Sequence, residues 1–221
     1  MAIDTKDRIL DVAERLFGER GIPATSLRDI TTAAGVNLAS VNYHFGSKNA
    51  LLDAVLQRRL RPINRQRLEM LDQVEARAGD GPPDLEAVIR AFLSPPFLSQ
   101  GVWGDGKQHF LRLVGRVHSE TNEDFRATFV KQFEKVIQRF TAALRRALPH
   151  LDEADVNWRV LFMVGSMAFT MSWAPTLVAR GSDGGREPEE VLESLVLYAA
   201  AGMTAPVPVG MPAAVAAGGR A

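Results

Sequence analysis

The sequence predicts an all-α chain with a three-helix head at residues 1–60, a helical body at 61–204 and a disordered tail at 205–221. Three observations carry that prediction. Apolar residues recur at helical spacing through most of the chain, and no alternating, β-branched run bounded by turns is found. Glycine and proline clusters fall between the periodic segments. Composition is that of a globular protein: 221 residues, 46% hydrophobic and 24% charged, enough to bury roughly 70% of the unfolded surface without a covalent staple. None is available, because the chain has no cysteine; disulfides, thiolate metal sites and cysteine nucleophiles are excluded.

In the first helix Ile9, Val12, Ala13, Leu16 and Phe17 fall at i, i+3, i+4, i+7 and i+8, one apolar stripe that stops near Gly21. Ser26-Leu27-Arg28-Asp29 reads as a capping box opening a short second helix, with Leu27, Ile30, Ala33 and Ala34 inward. Gly35 ends it, since glycine takes the left-handed closing conformation without steric cost. Asn37 caps a third helix, Leu38 to His44, and Phe45-Gly46-Ser47 closes it and caps a fourth carrying Leu51, Leu52, Val55 and Leu56. Pro62 is expected to end or kink this fourth helix near Leu60 or Arg61, and a basic, polar stretch continues through Arg65, Arg67 and Leu68 to about Arg77. The breaker at 78–83 precedes helices at about 84–94, 105–118, 122–148, 152–180 and 187–203, with an irregular segment from Ser94 to Gly106. From Ala205 the prolines and paired glycines predict disorder.

Met1 to Arg8 lacks the apolar run of a signal peptide, so a cytoplasmic protein is expected. Val160 to Ala179 carries no charge and has the length of a bilayer span. Gly165, Ser166, Thr170, Ser172, Pro175 and Thr176 dilute it, and a buried helix is expected there, with no membrane contact.

A helix, a glycine turn and a second helix form the geometry that lays the second helix in the major groove while the first braces it. Ile30, Ala34, Val36 and Val41 would lock the pair, leaving Ala39, Ser40, Asn42, Tyr43 and His44 outward. Asn42 suits adenine N6/N7, Ser40 several base edges and Ala39 a thymine methyl. Tyr43, His44 and Lys48 suit phosphate, helped by the helix start at Ser47 and Lys48. The expected DNA-contacting set is Ser26, Arg28, Asn37, Ala39, Ser40, Asn42, Tyr43, His44 and Lys48.

These residues also carry a resemblance. Thr25-Ser26-Leu27-Arg28-Asp29-Ile30, Ala33-Ala34-Gly35-Val36-Asn37, Tyr43-His44-Phe45-Gly46-Ser47-Lys48 and Leu51-Leu52 resemble the DNA-binding domain of TetR/AcrR-family regulators over about residues 5–60. Thr31 stands where the family usually has Ala and Asn37 where Ser is common, departures that bear on sequence preference more than on fold. The resemblance implies a helical ligand-binding domain and a homodimer that represses at a palindromic double-stranded operator until a small molecule binds. The wording from Val41 to Lys48, with Pro62, is similar to the subgroup of fatty-acid-responsive regulators.

For any single body phenylalanine, ordinary core packing is the better reading. Phenylalanine-lined space between helices is also where an apolar ligand sits. The expected pocket holds Phe110, Val114, Phe129 and Phe133, with Trp103 as a lid, and a hydrophobic inducer of fatty acid or acyl-CoA type. Arg112, Arg116 and His118 could meet a carboxylate, although solvated surface is the stronger reading for them. Leu161, Gly165, Ala168, Ser172, Leu195 and Tyr198 are the expected dimer face, with Met167, Met171 and Trp173 adding apolar area and Val191, Leu192, Val196 and Ala199 of the last helix completing a four-helix bundle across a twofold axis.

Two enzyme-like patterns fail on chemistry. Gly101 to Lys107 satisfies G-x-x-x-x-G-K, but Gln108 replaces the Mg²⁺-binding hydroxyl and no strand precedes it. His118-Ser119-Glu120 puts a base and a nucleophile on adjacent positions, which do not face each other on a helix. The four histidines lack metal-ligand spacing. No catalytic residue, metal or cofactor is expected. A different class, a nucleoid-associated or division-site protein using the same DNA-binding domain, predicts many genomic sites and no filled apolar pocket.

Net charge is zero, 26 Lys+Arg against 26 Asp+Glu. Residues 1–65 hold ten basic against seven acidic residues, leaving the head +3 and the remainder −3. Ala33 to Leu52 contains no carboxylate. Such a distribution suits a DNA-facing head with modest non-specific affinity that falls with salt.

Overall fold

The periodic segments become helices in the computed structural model, which describes residues 4–98, 107–118, 123–179, 181 and 186–207. Among these, ten helices occur and no strand: α1 (Thr5–Arg20), α2 (Leu27–Ala34), α3 (Leu38–His44), α4 (Lys48–Ala78), α5 (Leu85–Leu98), α6 (Lys107–His118), α7 (Glu123–Lys131), α8 (Glu134–Ala147), α9 (Glu153–Ala179) and α10 (Pro188–Thr204). The expected tail beyond Val207 lies outside the described residues. No helix among the described residues is long and apolar enough to cross a membrane.

Three boundaries differ from the sequence expectation. Pro62 does not end its helix: α4 runs unbroken for 31 residues, because Leu60 and Ile63 on either side of it are both buried and their packing outweighs one missing hydrogen bond. Helix α5 likewise continues through Pro95 and Pro96 to Leu98. Proline at 96 has no N–H for the carbonyl four residues back, that of Phe92, and the Arg67 side chain fills the gap, its Nε–H donating to the Phe92 oxygen at 2.8 Å. The single helix expected at 122–148 is instead two, α7 and α8. Tight-turn bonds from Gln132 N to Phe129 O (3.1 Å) and Phe133 N to Val130 O (3.0 Å) interrupt the ladder, and the Gln132 carbonyl accepts from Asn64 Nδ2 at 2.8 Å.

Two apolar cores result. The head core gathers Ile9, Ala13, Leu16 and Phe17 of α1, Ile30 and Val41 of α2 and α3, and Leu51, Leu52, Val55 and Leu56 of α4. It also takes Phe110 and Leu113 of α6 and Phe125 of α7, so the head does not close on residues 1–60 alone. The body core is built by α5, α8, α9, α10 and the far end of α4, with Phe92 and Phe140 edge to face at 5.1 Å. Gly18 lets α1 and α6 touch: a Cβ there would run into the His109 backbone carbonyl.

A buried ion cluster fixes α1 to α4. Glu14 is 2% exposed; Arg59 holds it bidentately through Nε (2.9 Å) and Nη2 (2.8 Å), and Arg58 Nη2 adds a third bond at 3.0 Å. Arg58 also reaches Asp11 at 2.7 Å. Removing one member of such a cluster strands the opposite charge. Glu14→Ala is therefore expected to lower stability by about 3 kcal/mol in urea unfolding, whereas Arg15→Ala, whose pair with Glu19 is exposed, shifts it by less than about 1 kcal/mol.

Candidate nucleic-acid interface and adjoining cavity

The head presents α3 on a scaffold of caps. Ser26 N donates to the Asp29 carboxylate at 2.8 Å and Asp29 N to the Ser26 hydroxyl at 3.1 Å, closing the predicted box. The Ser26 hydroxyl and backbone, with Arg20 and Lys48 nearby, hold the Asp29 carboxyl below the usual carboxylate range. Its contribution is thus present at neutral pH and lost as pH falls through that lowered value. Gly35 sits at φ 62°, ψ 40°, and its N–H reaches the carbonyls of Thr31 and Thr32. Asn37 Oδ1 then accepts from both Ser40 N (2.8 Å) and the Ser40 hydroxyl (3.0 Å). In this state Asn37 and Ser40 therefore serve the helix start.

Val41, fully buried, pins α3 to the core. Opposite it, Ala39, Asn42 and Tyr43 are exposed, Tyr43 to 86%. Tyr43 meets the half-buried His44 edge on at 5.1 Å, and His44 leans on Phe45 at 6.0 Å, which packs against the head core. Arg28 is exposed on α2, and so is Ala33, which was expected inward: the buried side of α2 runs through Ile30 and Ala34. Lys48 is turned inward more than expected: its Nζ lies 3.5 Å from the Pro23 carbonyl and 5.8 Å from the Phe125 ring centre, so contact with phosphate requires that side chain to swing out.

Beneath the head lies a cavity of about 1170 Å³. Phe110, Val114, Phe129 and Phe133 are on its wall; Trp103 lies outside the described residues. So do Gly101 to Gly106, Ser119 and Glu120, and with them the two enzyme-like patterns. Arg112 is exposed and does not line the cavity, while the side chains of Arg116 and His118 fall outside the described ones.

Sequence reasoning missed Arg67. It follows Leu60 and Ile63 on the α4 face that lines the cavity and is 1% exposed. Its guanidinium carbon lies 4.2 Å from the Phe92 ring centre, and burial pulls its pKa down to about 9, leaving it charged at neutral pH. The available signal was a cation at i+7 in an otherwise apolar α4 stripe. Beyond Pro62 the sequence reads as a basic, polar stretch with no inward face, which hid Arg67 within it.

The expected dimer face divides. Leu161, Ser172 and Tyr198 are exposed, Ala168 is half-buried, and a Cβ on Gly165 would meet open space. Leu192, Leu195, Val196 and Ala199 are instead body core, because together they form the inward face of α10. Met167 and Met171 also turn inward and line the cavity. The apolar area they were expected to supply comes from exposed Trp158, Phe162, Phe169 and Trp173, stacked in pairs at 6.0 and 5.7 Å.

Comparison with known proteins follows this division. Residues 9–55 match the family of bacterial regulatory proteins, tetR family, and residues 90–202 match the tetracyclin repressor-like C-terminal domain. The transcriptional repressor KstR2 of Rhodococcus jostii is 44% identical over 52 residues, 24% of this chain and 26% of that protein. The regulator AcrR of Shigella flexneri is 43% identical over 54 residues, 24% of this chain and 25% of that one. Both likenesses span about a quarter of the relative's length. The solved TetR-family regulator PfmR of Thermus thermophilus is 24% identical, covering 87% of this chain and 97% of its own, with a TM-score of 0.51. The fatty acid degradation regulator FadR of Bacillus halodurans is 13% identical, covering 92% and 98%, with a TM-score of 0.60. At these identities the two structures establish the shared fold.

The scaffold and its outward face are separable by mutation. Gly35→Ala, forcing a side chain into the left-handed region, is expected to cost about 1 kcal/mol of stability. Tyr43→Ala is expected to leave it within about 0.5 kcal/mol. Thermal unfolding of the two variants checks both.

Proposed function

The chain belongs to the TetR family of bacterial regulatory proteins, and from the outward face of α3 and the cavity behind it we propose that it is a DNA-binding transcriptional repressor released by an apolar small molecule. The observation that carries this reading is the α3 face itself: Ala39, Asn42 and Tyr43 exposed on a helix locked from behind by Val41, within a stretch that has no carboxylate to repel phosphate. Asn42 reads a base edge in the major groove, Ala39 offers methyl contact, and Tyr43, Arg28 and Lys48 hold phosphates.

Two copies meet through the aromatic stripe of α9 and the outward side of α10. Trp158, Phe162, Gly165, Phe169 and Trp173 recur at helical spacing along α9, and Leu197 and Tyr198 stand exposed on α10. The Ser166 and Ser172 hydroxyls donate to the Phe162 and Ala168 carbonyls of their own helix, at 2.9 and 2.8 Å, so neither needs water once covered. A twofold dimer sets its reading helices one DNA turn, about 34–36 Å, apart and matches a palindromic operator. The cytoplasm is where such a protein works.

Release follows from shared walls. Phe110 lines the cavity and is also head core; Leu60 and Ile63 do the same on α4. A ligand seated among them alters how α6 and α4 hold α1, and a preference of a few kcal/mol for one arrangement is enough to shift the dimer. The apolar lining supports an inducer of acyl-chain character. The cavity also favours ligand control over a nucleoid-coating or division-site protein, for which so large an apolar space has no use.

Fluorescence anisotropy with duplex from the region upstream of the coding sequence tests the reading. Salt-sensitive preference for it over random duplex is expected. Asn42→Ala should relax discrimination at one base pair by about 1–3 kcal/mol, and Tyr43→Ala should weaken every sequence. Equal affinity for both duplexes would contradict sequence-specific regulation. Sedimentation should give a dimer that Phe162→Glu converts to monomer, and a wild-type monomer at micromolar concentration would contradict the proposed face.

A further inference from the structure

Arg67 is over-provided for the structural task it performs. The Phe92 carbonyl orphaned by Pro96 needs one N–H, and Nε supplies it at 2.8 Å. A guanidinium has five N–H donors. Nη1 donates to Asn64 Oδ1 at 3.1 Å and Nη2 to the Met167 sulfur at 3.4 Å. That leaves one N–H on each terminal nitrogen without a partner among the described residues. Every partner is neutral, and no carboxylate among the described residues lies within ion-pair distance of Arg67. A cation 1% exposed and uncompensated is expensive to keep, whereas a neutral donor would satisfy Phe92 equally well. The other charged cavity residues (Lys131, Glu134, Arg145 and Glu153) are exposed, and Arg145 already pairs with Glu153 at 3.1 Å. The lining between is mainly apolar, with Gln138, Thr141, Asn157 and Ser172 among it. The cavity thus has one buried positive pole and a charged, solvent-facing rim.

On the reading of this cavity as a ligand site, we infer that it takes an apolar monocarboxylate head first, with the Arg67 terminal nitrogens receiving the carboxylate and the chain running between α6, α7 and α9 toward the rim. The guanidinium fork matches the two carboxylate oxygens, and the dry surroundings strengthen that pairing. A coenzyme A thioester fits the pole poorly. Its acyl carbonyl is neutral, and its charges sit on a nucleotide too bulky to pass inward. The carboxylate pairs with a residue of α4, the helix that carries the head, so the ligand's charge acts on that helix directly.

Decanoate, methyl decanoate and decanoyl-coenzyme A, each displacing Nile red from the full-length protein, test this. Decanoate should compete at least tenfold better than its ester and than the thioester. Arg67→Gln keeps a donor for Phe92 but no charge, and should erase the acid preference while still binding Nile red. Arg67→Lys should keep part of it, and Arg145→Gln should leave it intact. Ester binding as well as acid, the thioester competing best, or Arg67→Gln retaining the preference would each overturn the inference and leave the cavity as a ligand site. If Nile red and decanoate both fail to bind, the ligand-site reading itself falls and the inference with it. Should Arg67→Gln fail to fold, the acid-against-ester comparison on the unaltered protein and on Arg145→Gln and Arg67→Lys decides.

Discussion

Helix α4 belongs to two cores at once: Leu51, Leu52, Val55 and Leu56 fill the head, and Leu71 and Val74 fill the body. At 31 residues it is about 46 Å of continuous helix, with no joint between its two jobs. Helix α6 lines the cavity as well and gives Phe110 and Leu113 to the head core, its His109 carbonyl lying against Gly18 of α1. The head is therefore seated on the cavity walls instead of hanging from a linker. Any change in the space between α4 and α6 acts on helices that also build the head core, and packed interfaces switch between discrete arrangements more readily than they deform.

Charge is used in three separate ways within this frame. Glu14 and Asp11 with Arg58 and Arg59 form a cluster of two carboxylates and two guanidiniums, and it makes α1 follow α4. The α3 face is kept free of carboxylates, and the net charge of zero is a cancellation between a basic head and an acidic remainder. Arg67 differs from both, a single cation held in an apolar space by a carbonyl, an amide and a sulfur. The first arrangement holds the fold, the second suits a polyanion, and the third leaves a site that an anion can complete.

The head was legible because its signals are local. The Ser26–Asp29 box, the Gly35 turn and the Asn37 cap each span four residues or fewer, and each forms as its residue types require. The inward–outward split around Val41 follows from the same short periodicity. What escaped the sequence depended on distant partners. Pro62, Pro95 and Pro96 read as breaks because nothing nearby shows that buried neighbours hold the helix across the first, or that Arg67, 25 residues away, caps the carbonyl freed by the last. Leu195 and Met167 were assigned outward because α9 and α10 are apolar on both sides, and periodicity alone cannot say which side faces its own core. The exposed aromatics of α9 settle that in space.

The central claim is that cavity and reading heads are one mechanical unit, and the absence of cysteine makes it directly measurable. One cysteine introduced at Asp7, exposed on α1 and outside the proposed DNA-contacting set, carries the only spin label, and pulsed electron resonance reads the label-to-label distance across the dimer. The account predicts a distribution compatible with reading helices about 34–36 Å apart on operator DNA, displaced to a different distance when decanoate occupies the cavity. An unchanged distribution at a decanoate concentration that fully displaces Nile red would contradict it.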